Sequence, residues 1–242
     1  MNTLKARKPL VFVAMLTIVA GIVAACSPAG DDTPAGATGS GPTSAPSPRA
    51  PTAPSSEASG PRTHVFYTGD PKFDAKYRIT MDLLDGYAGE VGGVVFGTDG
   101  GQGISAWTVG NVYTEPCRWH GALLDPPIDS SVDGLVAGLA DQDSRRPSAP
   151  TDVTLDGFTG KYMELSVPSR VHLAECNDGQ FRTWLDPMGG ARYLEPGQHD
   201  LLWIVDVDGD RLVIDSALAP DTTPQDRADR IQMVESIQIE PV

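Results

Sequence analysis

The sequence predicts an α+β fold in which an antiparallel β-sheet is flanked by helices, preceded by a signal peptide and a disordered linker. Three observations predict this arrangement. The last third of the chain has the pattern of a β-hairpin followed by a helix, the first 25 residues have the pattern of an export signal, and a segment without large apolar residues lies between the two parts. Residues 63–242 suffice for a single globular domain, and no internal repeat or second linker divides them.

The N-terminal segment has the pattern of a secretory signal. A basic start at Lys5, Arg7 and Lys8 precedes residues 10–25, sixteen residues without a charge. A bilayer span needs roughly 20 apolar residues, so this stretch is short for a transmembrane helix and suits the core of a signal peptide. An uncut anchor helix and an ordinary signal peptide with a chance cysteine are the alternatives.

Small residues stand directly before a cysteine at the end of this segment. The sequence Val23-Ala24-Ala25-Cys26 resembles the lipobox of bacterial lipoproteins. In that family the cysteine sulfur takes a diacylglyceryl group, and the chain is cut just before it. The resemblance implies a signal peptide at residues 1–25, lipidation of Cys26 by acyl chains such as palmitate, and a place on the outer, extracytoplasmic face of the cell membrane. Two acyl chains meet the two-signal requirement for stable anchoring.

A tether follows the cysteine. Residues 27–62 are Ser, Pro, Ala, Gly and Thr apart from five charged residues, with no Leu, Ile, Val or aromatic side chain. Such a stretch buries too little apolar surface to offset its chain entropy, so we expect disorder across residues 26–62. A flexible chain of this length has a mean span of about 30–35 Å, which lifts a domain off the membrane.

Charge excludes one class of partner. The formal net charge is −14, and loss of the three cations in residues 1–25 would bring it to −17. A surface this acidic repels phosphate backbones, so no nucleic-acid partner is expected. The simplest function of so much negative charge is solubility.

Two cysteines remain when Cys26 carries lipid. Cys117 and Cys176 lie in a domain expected to reach an oxidising compartment, where two such residues are usually joined. A loop of this length gives on the order of 4 kcal/mol of stabilisation in the chain-entropy account. A reactive thiol or a metal pair is the alternative, but no Cys/His spacing supports a metal site, and no cofactor is expected.

The C-terminal third carries the clearest local signals. Residues 201–215 are two β-rich runs around Asp208-Gly209, the strongest short-range hairpin signal. Thr223 is the expected N-cap of a helix that follows. An earlier helix is expected over residues 132–142, capped by Asp129 or Ser130.

Residues 201–239, a long hairpin closed by a helix that ends in Ser-Ile, resemble the PsbP-like (LpqN-like) fold. Stretches such as WTVGNVYTEPCRW and PTDVTLDGFTGKYMEL also resemble secreted actinobacterial lipoproteins. The resemblance implies an antiparallel sheet sandwiched between helices and a binding, assembly or adaptor role. It carries no catalytic residues over to this chain.

Aromatic and arginine residues adjoin both cysteines. A disulfide would draw the two neighbourhoods together, and Trp/Arg clusters are typical binding anchors. The alternative is that these side chains only pack over the disulfide. The candidate binding residues are Arg118, Trp119, His120, Arg182 and Trp184.

No catalytic motif is strong enough to name a reaction. His199-Asp200 beside Glu195 offers a base and an orienting group, but no serine stands in a nucleophile elbow. We therefore expect a non-catalytic binding or adaptor domain, anchored through the lipid on Cys26, whose partner is an envelope protein or a cell-wall component. A hydrolase or other enzyme that modifies the cell envelope is the alternative.

Overall fold

A computed structural model describes residues 62–69, 72, 75–90, 94–97 and 103–242. The expected signal peptide, Cys26 and nearly all of the tether lie outside these residues. Arg62, which the sequence assigned to the end of the tether, is already the first residue of a strand.

Strands dominate the described part of the chain. The strands are β1 Arg62–Tyr67, β2 Tyr77–Leu83, β3 Tyr87–Glu90, β4 Val94–Gly97, β5 Ile104–Trp107, β6 Asn111–Val112, β7 Arg146–Pro147, β8 Thr151–Leu155, β9 Phe158–Ser166, β10 Phe181–Leu185, β11 Ala191–Leu194, β12 His199–Val207, β13 Asp210–Leu218 and β14 Gln238–Pro241. The α-helices are α1 Val132–Ala140 and α2 Pro224–Glu235. Neither helix is long and apolar enough to cross a membrane, a finding that covers the described residues alone.

All pairings between these strands are antiparallel, which confirms the α+β class with mostly antiparallel sheets and two helices. The largest sheet has the order β3-β4-β5-β13-β12-β9-β7, with β8 paired to β9. Two three-stranded sheets have the orders β1-β2-β14 and β11-β10-β6.

The predicted hairpin forms the centre of the largest sheet. Strands β12 and β13 pair from His199 opposite Leu218 to Val207 opposite Asp210. Asp208 and Gly209 at the turn have φ values of 55° and 91°, the positive values that a two-residue hairpin turn of type I′ requires. The hairpin prediction is confirmed.

Alternate residues of β12 enter two different hydrophobic clusters. Leu201 and Trp203 pack in the same cluster as Met233 of α2 and as Ile79 of β2. The residues that alternate with them on β12 face the opposite side of the sheet. Leu202 and Ile204 pack in the cluster that contains Leu135 of α1. This alternation follows from strand geometry, and it gives the domain one core on each face of the hairpin.

Both helices begin at side-chain caps. Thr223 caps α2 as predicted, its hydroxyl accepting from the Asp226 N–H. At α1 the prediction was one or two residues early, because Ser131 is the cap and accepts from the Gly134 N–H. Asp129 instead accepts bonds from Ser131 and fixes the turn before the helix. The helix ends at Ala140, two residues short of the prediction.

Candidate functional site

The predicted disulfide is present. Cys117 and Cys176 are joined although they lie 59 positions apart in sequence, and their Cα atoms are 4.5 Å apart. Two backbone hydrogen bonds join the same two segments beside the disulfide. The Asn177 N–H donates to the Cys117 carbonyl at 2.9 Å, and the Arg182 N–H donates to the Pro116 carbonyl at 2.9 Å. The bond therefore holds the loop before Trp119 against the start of β10.

An aromatic and arginine cluster lies on this junction. The Arg182 guanidinium carbon is 3.4 Å from the centroid of the Trp119 ring and 5.3 Å from that of Tyr193. Arg182 of β10 pairs directly with Tyr193 of β11, which puts both side chains on the same face of the three-stranded sheet. Tyr193 is 46% exposed. These three residues, Trp119, Arg182 and Tyr193, are called the stacked cluster below.

Neighbouring polar groups fix the stacked cluster in place. The Trp119 indole N–H donates to the Asn177 carbonyl at 3.0 Å. Gln180 Oε1 accepts from both Nε and Nη2 of Arg182, at 3.1 and 2.7 Å. The rotamers of Trp119 and Arg182 are thus fixed by contacts within the protein.

His120 extends the cluster at its edge. Its ring lies edge-on to Trp119 with centroids 4.1 Å apart, and its Nε2 is 3.2 Å from the carboxylate of Asp178. Both side chains of this pair are more than half exposed. The predicted neighbours Trp119, His120 and Arg182 therefore do meet, and Arg118 lies beside them as an exposed residue.

Trp184 does not belong to the site. Its side chain is 0% exposed and packs edge-on against Trp107 within the core shared with α1. Strict alternation along β10 would put Trp184 on the face of Arg182, but a β-bulge interrupts the pairing between Arg182 and Leu185. The bulge turns Trp184 inward beside the buried Thr183.

The sequence reasoning missed Tyr193, Gln180 and Asp178. Gln180 and Asp178 follow Cys176 closely, and their position near the disulfide was the available signal. Tyr193 is eleven residues beyond Arg182 on another strand. Only the β10–β11 register joins it to the site, and no local pattern in the sequence marks that register.

A buried ionic network lies under the same sheet. Arg145 donates from Nη2 to Asp200 at 2.7 Å and from Nη1 to Thr183, the residue after Arg182, at 3.0 Å. The side chains of Arg145 and Asp200 are both 0% exposed. Arg192 donates to Asp215 at 2.7 Å, and burial nevertheless raises the pKa of that carboxyl to about 6. Two arginines and two aspartates together balance the charge of this interior.

His199 pairs with neither of the two acidic residues near it in sequence, Asp200 and Glu195. Asp200 points to the opposite face of the strand and binds Arg145, and Glu195 is exposed. His199 Nε2 instead lies 2.9 Å from Glu164 of β9. Burial raises the pKa of Glu164, but hydrogen bonds from Tyr162 at 2.7 Å and Arg227 at 2.6 Å outweigh it and hold that pKa below its usual value.

Two further features bear on chemistry. Across the described ranges, no group of three or more His, Cys, Asp or Glu side chains is arranged to hold a metal ion. A shallow groove of about 570 Å³ runs between the start of α1 and the β8–β9 hairpin. Its Lys161 and Asp152 pair with each other at 2.5 Å.

Comparison with known proteins adds one likeness. No family model matches the chain, and no curated protein matches it. The solution structure of cyanobacterial PsbP (CyanoP) from Synechocystis sp. PCC 6803 is similar over 78% of this chain and 99% of that one, with 14% sequence identity and a TM-score of 0.35. Because that TM-score is low, the α+β class rests on the strands and helices themselves, and the PsbP-like assignment stays a prediction.

Proposed function

We propose that the chain is a lipoprotein anchored through Cys26 to the outer face of the cell membrane, and that its folded domain binds an envelope partner without catalysing a reaction. The proposed fold is the PsbP-like sandwich of an antiparallel sheet between helices. The stacking of Arg182 on Trp119 at the disulfide is the single observation that carries the binding role.

The stacked cluster has the composition of an interface anchor. Trp, Tyr and Arg are the residues most enriched at binding hot spots. In this domain they stand together on one sheet face, with Tyr193 exposed and Arg182 half-buried. Such contacts gain affinity when the side chains are already ordered, because less rotamer entropy is lost on binding.

The supporting contacts are stronger than packing over a disulfide requires. A side chain that merely covers the bond needs no fixed orientation. Arg182 is nevertheless held by two aromatic rings and by both hydrogen bonds to Gln180. We take this preorganisation as the reason to prefer a binding site to a structural cap.

The binding role is tested by capturing partners from the native cell surface with the purified domain. We expect Trp119→Ala and Arg182→Ala to weaken capture by tenfold or more, the usual cost of truncating a hot-spot residue. Arg118→Ala tests the edge of the site. Arg146→Ala is the matched control, since Arg146 is an exposed arginine on β7 in a different sheet. Equal capture by all four variants and the wild type would refute the site.

The anchor is tested by the intact mass of the protein extracted from native membranes. We expect a mass that corresponds to cleavage before Cys26 plus lipid, and the full-length unlipidated mass for Cys26→Ala. An unlipidated wild-type chain would contradict the anchor and leave the binding domain to be judged by its own experiment.

An envelope hydrolase is the second candidate, and one arrangement favours it. Ser166 pairs directly with His199 across β9 and β12, and Glu164 lies on the same face two residues before Ser166. Among the described residues, however, the Ser166 hydroxyl has no hydrogen-bond partner, so the serine is not activated in the usual way. Labelling by a fluorophosphonate probe that disappears in Ser166→Ala would establish the hydrolase and overturn the non-catalytic reading.

A further inference from the structure

We propose that the stacked cluster binds an oxyanion, a carboxylate or phosphate group, on a ligand whose apolar ring contacts Tyr193 and Trp119. The proposal deepens the binding role above and rests on it. Its basis is the one side of the Arg182 guanidinium that the protein leaves open.

A guanidinium group offers two flat faces and two hydrogen-bonding edges. In Arg182 one face lies against Trp119, at 3.4 Å, and the Tyr193 ring is 5.3 Å away. The edge formed by Nε and Nη2 is occupied, because both atoms donate to Gln180 Oε1. The remaining edge, formed by Nη1 and the second hydrogen of Nη2, has no acceptor among the described residues.

This open edge has the geometry for an oxyanion. Two parallel N–H groups of a guanidinium bind the two oxygens of a carboxylate or phosphate at once, and such pairs are about twice as strong as neutral hydrogen bonds. The aromatic contacts and Gln180 hold the group in one orientation. The cost of ordering the arginine is therefore already met within the fold.

The distribution of ion pairs also favours an anion here. In a chain with a net charge of −14, seven of the fourteen described Lys and Arg side chains lie within 4.0 Å of a carboxylate; these are Arg62, Lys76, Arg78, Arg145, Lys161, Arg192 and Arg227. Within the described ranges, Arg118, Arg146, Arg170, Arg182 and Arg211 have no such partner.

Three of these five arginines, Arg118, Arg170 and Arg182, share one region of the domain. Arg118 directly follows Cys117 in sequence. The backbone N–H of Arg182 donates to the carbonyl of Pro116, the residue before Cys117. Arg170 precedes Val171, which packs against the cluster that contains Cys176. These three arginines place positive charge without a carboxylate partner around the disulfide, where it complements an anionic ligand.

The exposed rings define the rest of the ligand. Tyr193 is 46% exposed beside the open edge, and Trp119 is half-buried next to it. An apolar ring attached to the oxyanion would pack on these side chains while its charged group reached Arg182. A small aliphatic anion would make the ionic contact and lose the packing.

The test is a nuclear magnetic resonance titration of the disulfide-bonded domain with three ligands that share one ring: benzoate, phenyl phosphate and the neutral benzamide. The signals followed are the Trp119 indole N–H and the Arg182 Nε–H. We expect benzoate or phenyl phosphate to shift both signals to saturation, and benzamide to bind about tenfold more weakly or less. The anion that binds with the higher affinity identifies the class of oxyanion that the site prefers.

Variants test whether Arg182 is responsible. Arg182→Lys keeps the positive charge but removes the two parallel N–H donors of the guanidinium. We therefore expect at least a tenfold loss of anion affinity. Arg118→Gln changes an exposed residue without risk to folding, and we expect a smaller loss. Arg146→Gln, the control on β7, should bind as the wild type does.

Each result decides the proposal. Equal binding of benzamide and the anions, an unchanged affinity in Arg182→Lys, or no saturable binding at all would overturn it. Equal benzamide binding would still leave the aromatic contacts of the proposed function in place. Failure of the proposed function is recognised by a different result: Trp119→Ala would capture partners as well as the wild type does.

Discussion

Arg182 stacks its guanidinium on the indole of Trp119, 3.4 Å from the ring centroid, although the two residues lie 63 positions apart. The Cys117–Cys176 disulfide brings them together, since Trp119 is two residues past the first cysteine and Arg182 six past the second. The covalent bond and the stacked cluster therefore form one unit.

The first prediction concerns the stability that this bond provides. Replacement of both Cys117 and Cys176 by Ser should lower the free energy of unfolding by about 4 kcal/mol, because the bond closes a loop in the unfolded chain between residues 59 positions apart. Urea denaturation of the variant and of the wild type measures the difference. Midpoints that agree within the equivalent of 1 kcal/mol would show that the bond is dispensable for stability.

A second prediction concerns the ionic network beneath the site. Arg145→Met should destabilise the domain by about 3–5 kcal/mol, because it leaves the buried carboxylate of Asp200 without its main partner. The double variant Arg145→Met with Asp200→Leu should lose less, since neither charge remains buried. A double variant that unfolds as readily as the single one would mean that packing, and not charge, holds this interior together.

The third prediction concerns acid sensitivity. The pKa of Glu164 lies below its usual value of 4.5 in the folded protein, so the unfolded chain binds the proton more tightly. Stability from the ionised carboxylate is fully present above pH 4.5 and is lost as the pH falls through the lowered folded value. Glu164→Gln should therefore cost about 1 kcal/mol at pH 7, after allowance for screening by solvent.

Chemical denaturation of Glu164→Gln across the range from pH 7 to pH 3 checks this sign. The difference from the wild type should shrink as the pH falls. Glu235→Gln, at an exposed position near the end of α2, is the control and should change little at any pH. A difference that grows toward acid would mean that the folded state prefers the protonated carboxyl.

Local signals account for the parts of the fold that the sequence predicted. Asp208-Gly209 permits a tight turn whatever surrounds it, and Thr223 caps its helix with its own side chain. The cysteine pair was predictable because few cysteines are available and the expected export of the chain favours oxidation. In each case the decisive interaction lies within a few residues or depends on a simple count.

The rest depends on pairings between distant strands. Trp184 was a candidate binding residue because it lies near Cys176 and Arg182, but a bulge that no motif marks accompanies its place in the core. His199 binds Glu164, 35 residues away, in place of its chain neighbours. Tyr193 reaches the site only through its register with Arg182. Such contacts are fixed by the assembled sheet, and local sequence carries little trace of them.

Site-specific photo-crosslinking in intact cells tests the central claim most directly. A p-benzoylphenylalanine at Tyr193 reports contacts of the stacked cluster, and the same group at Val65 on β1 is a matched control, since the two positions are 46% and 42% exposed. We predict a discrete adduct from position 193, absent at 65 and lost when Trp119→Ala is added. No adduct at 193, or the same adduct from both positions, would contradict a binding site at this disulfide.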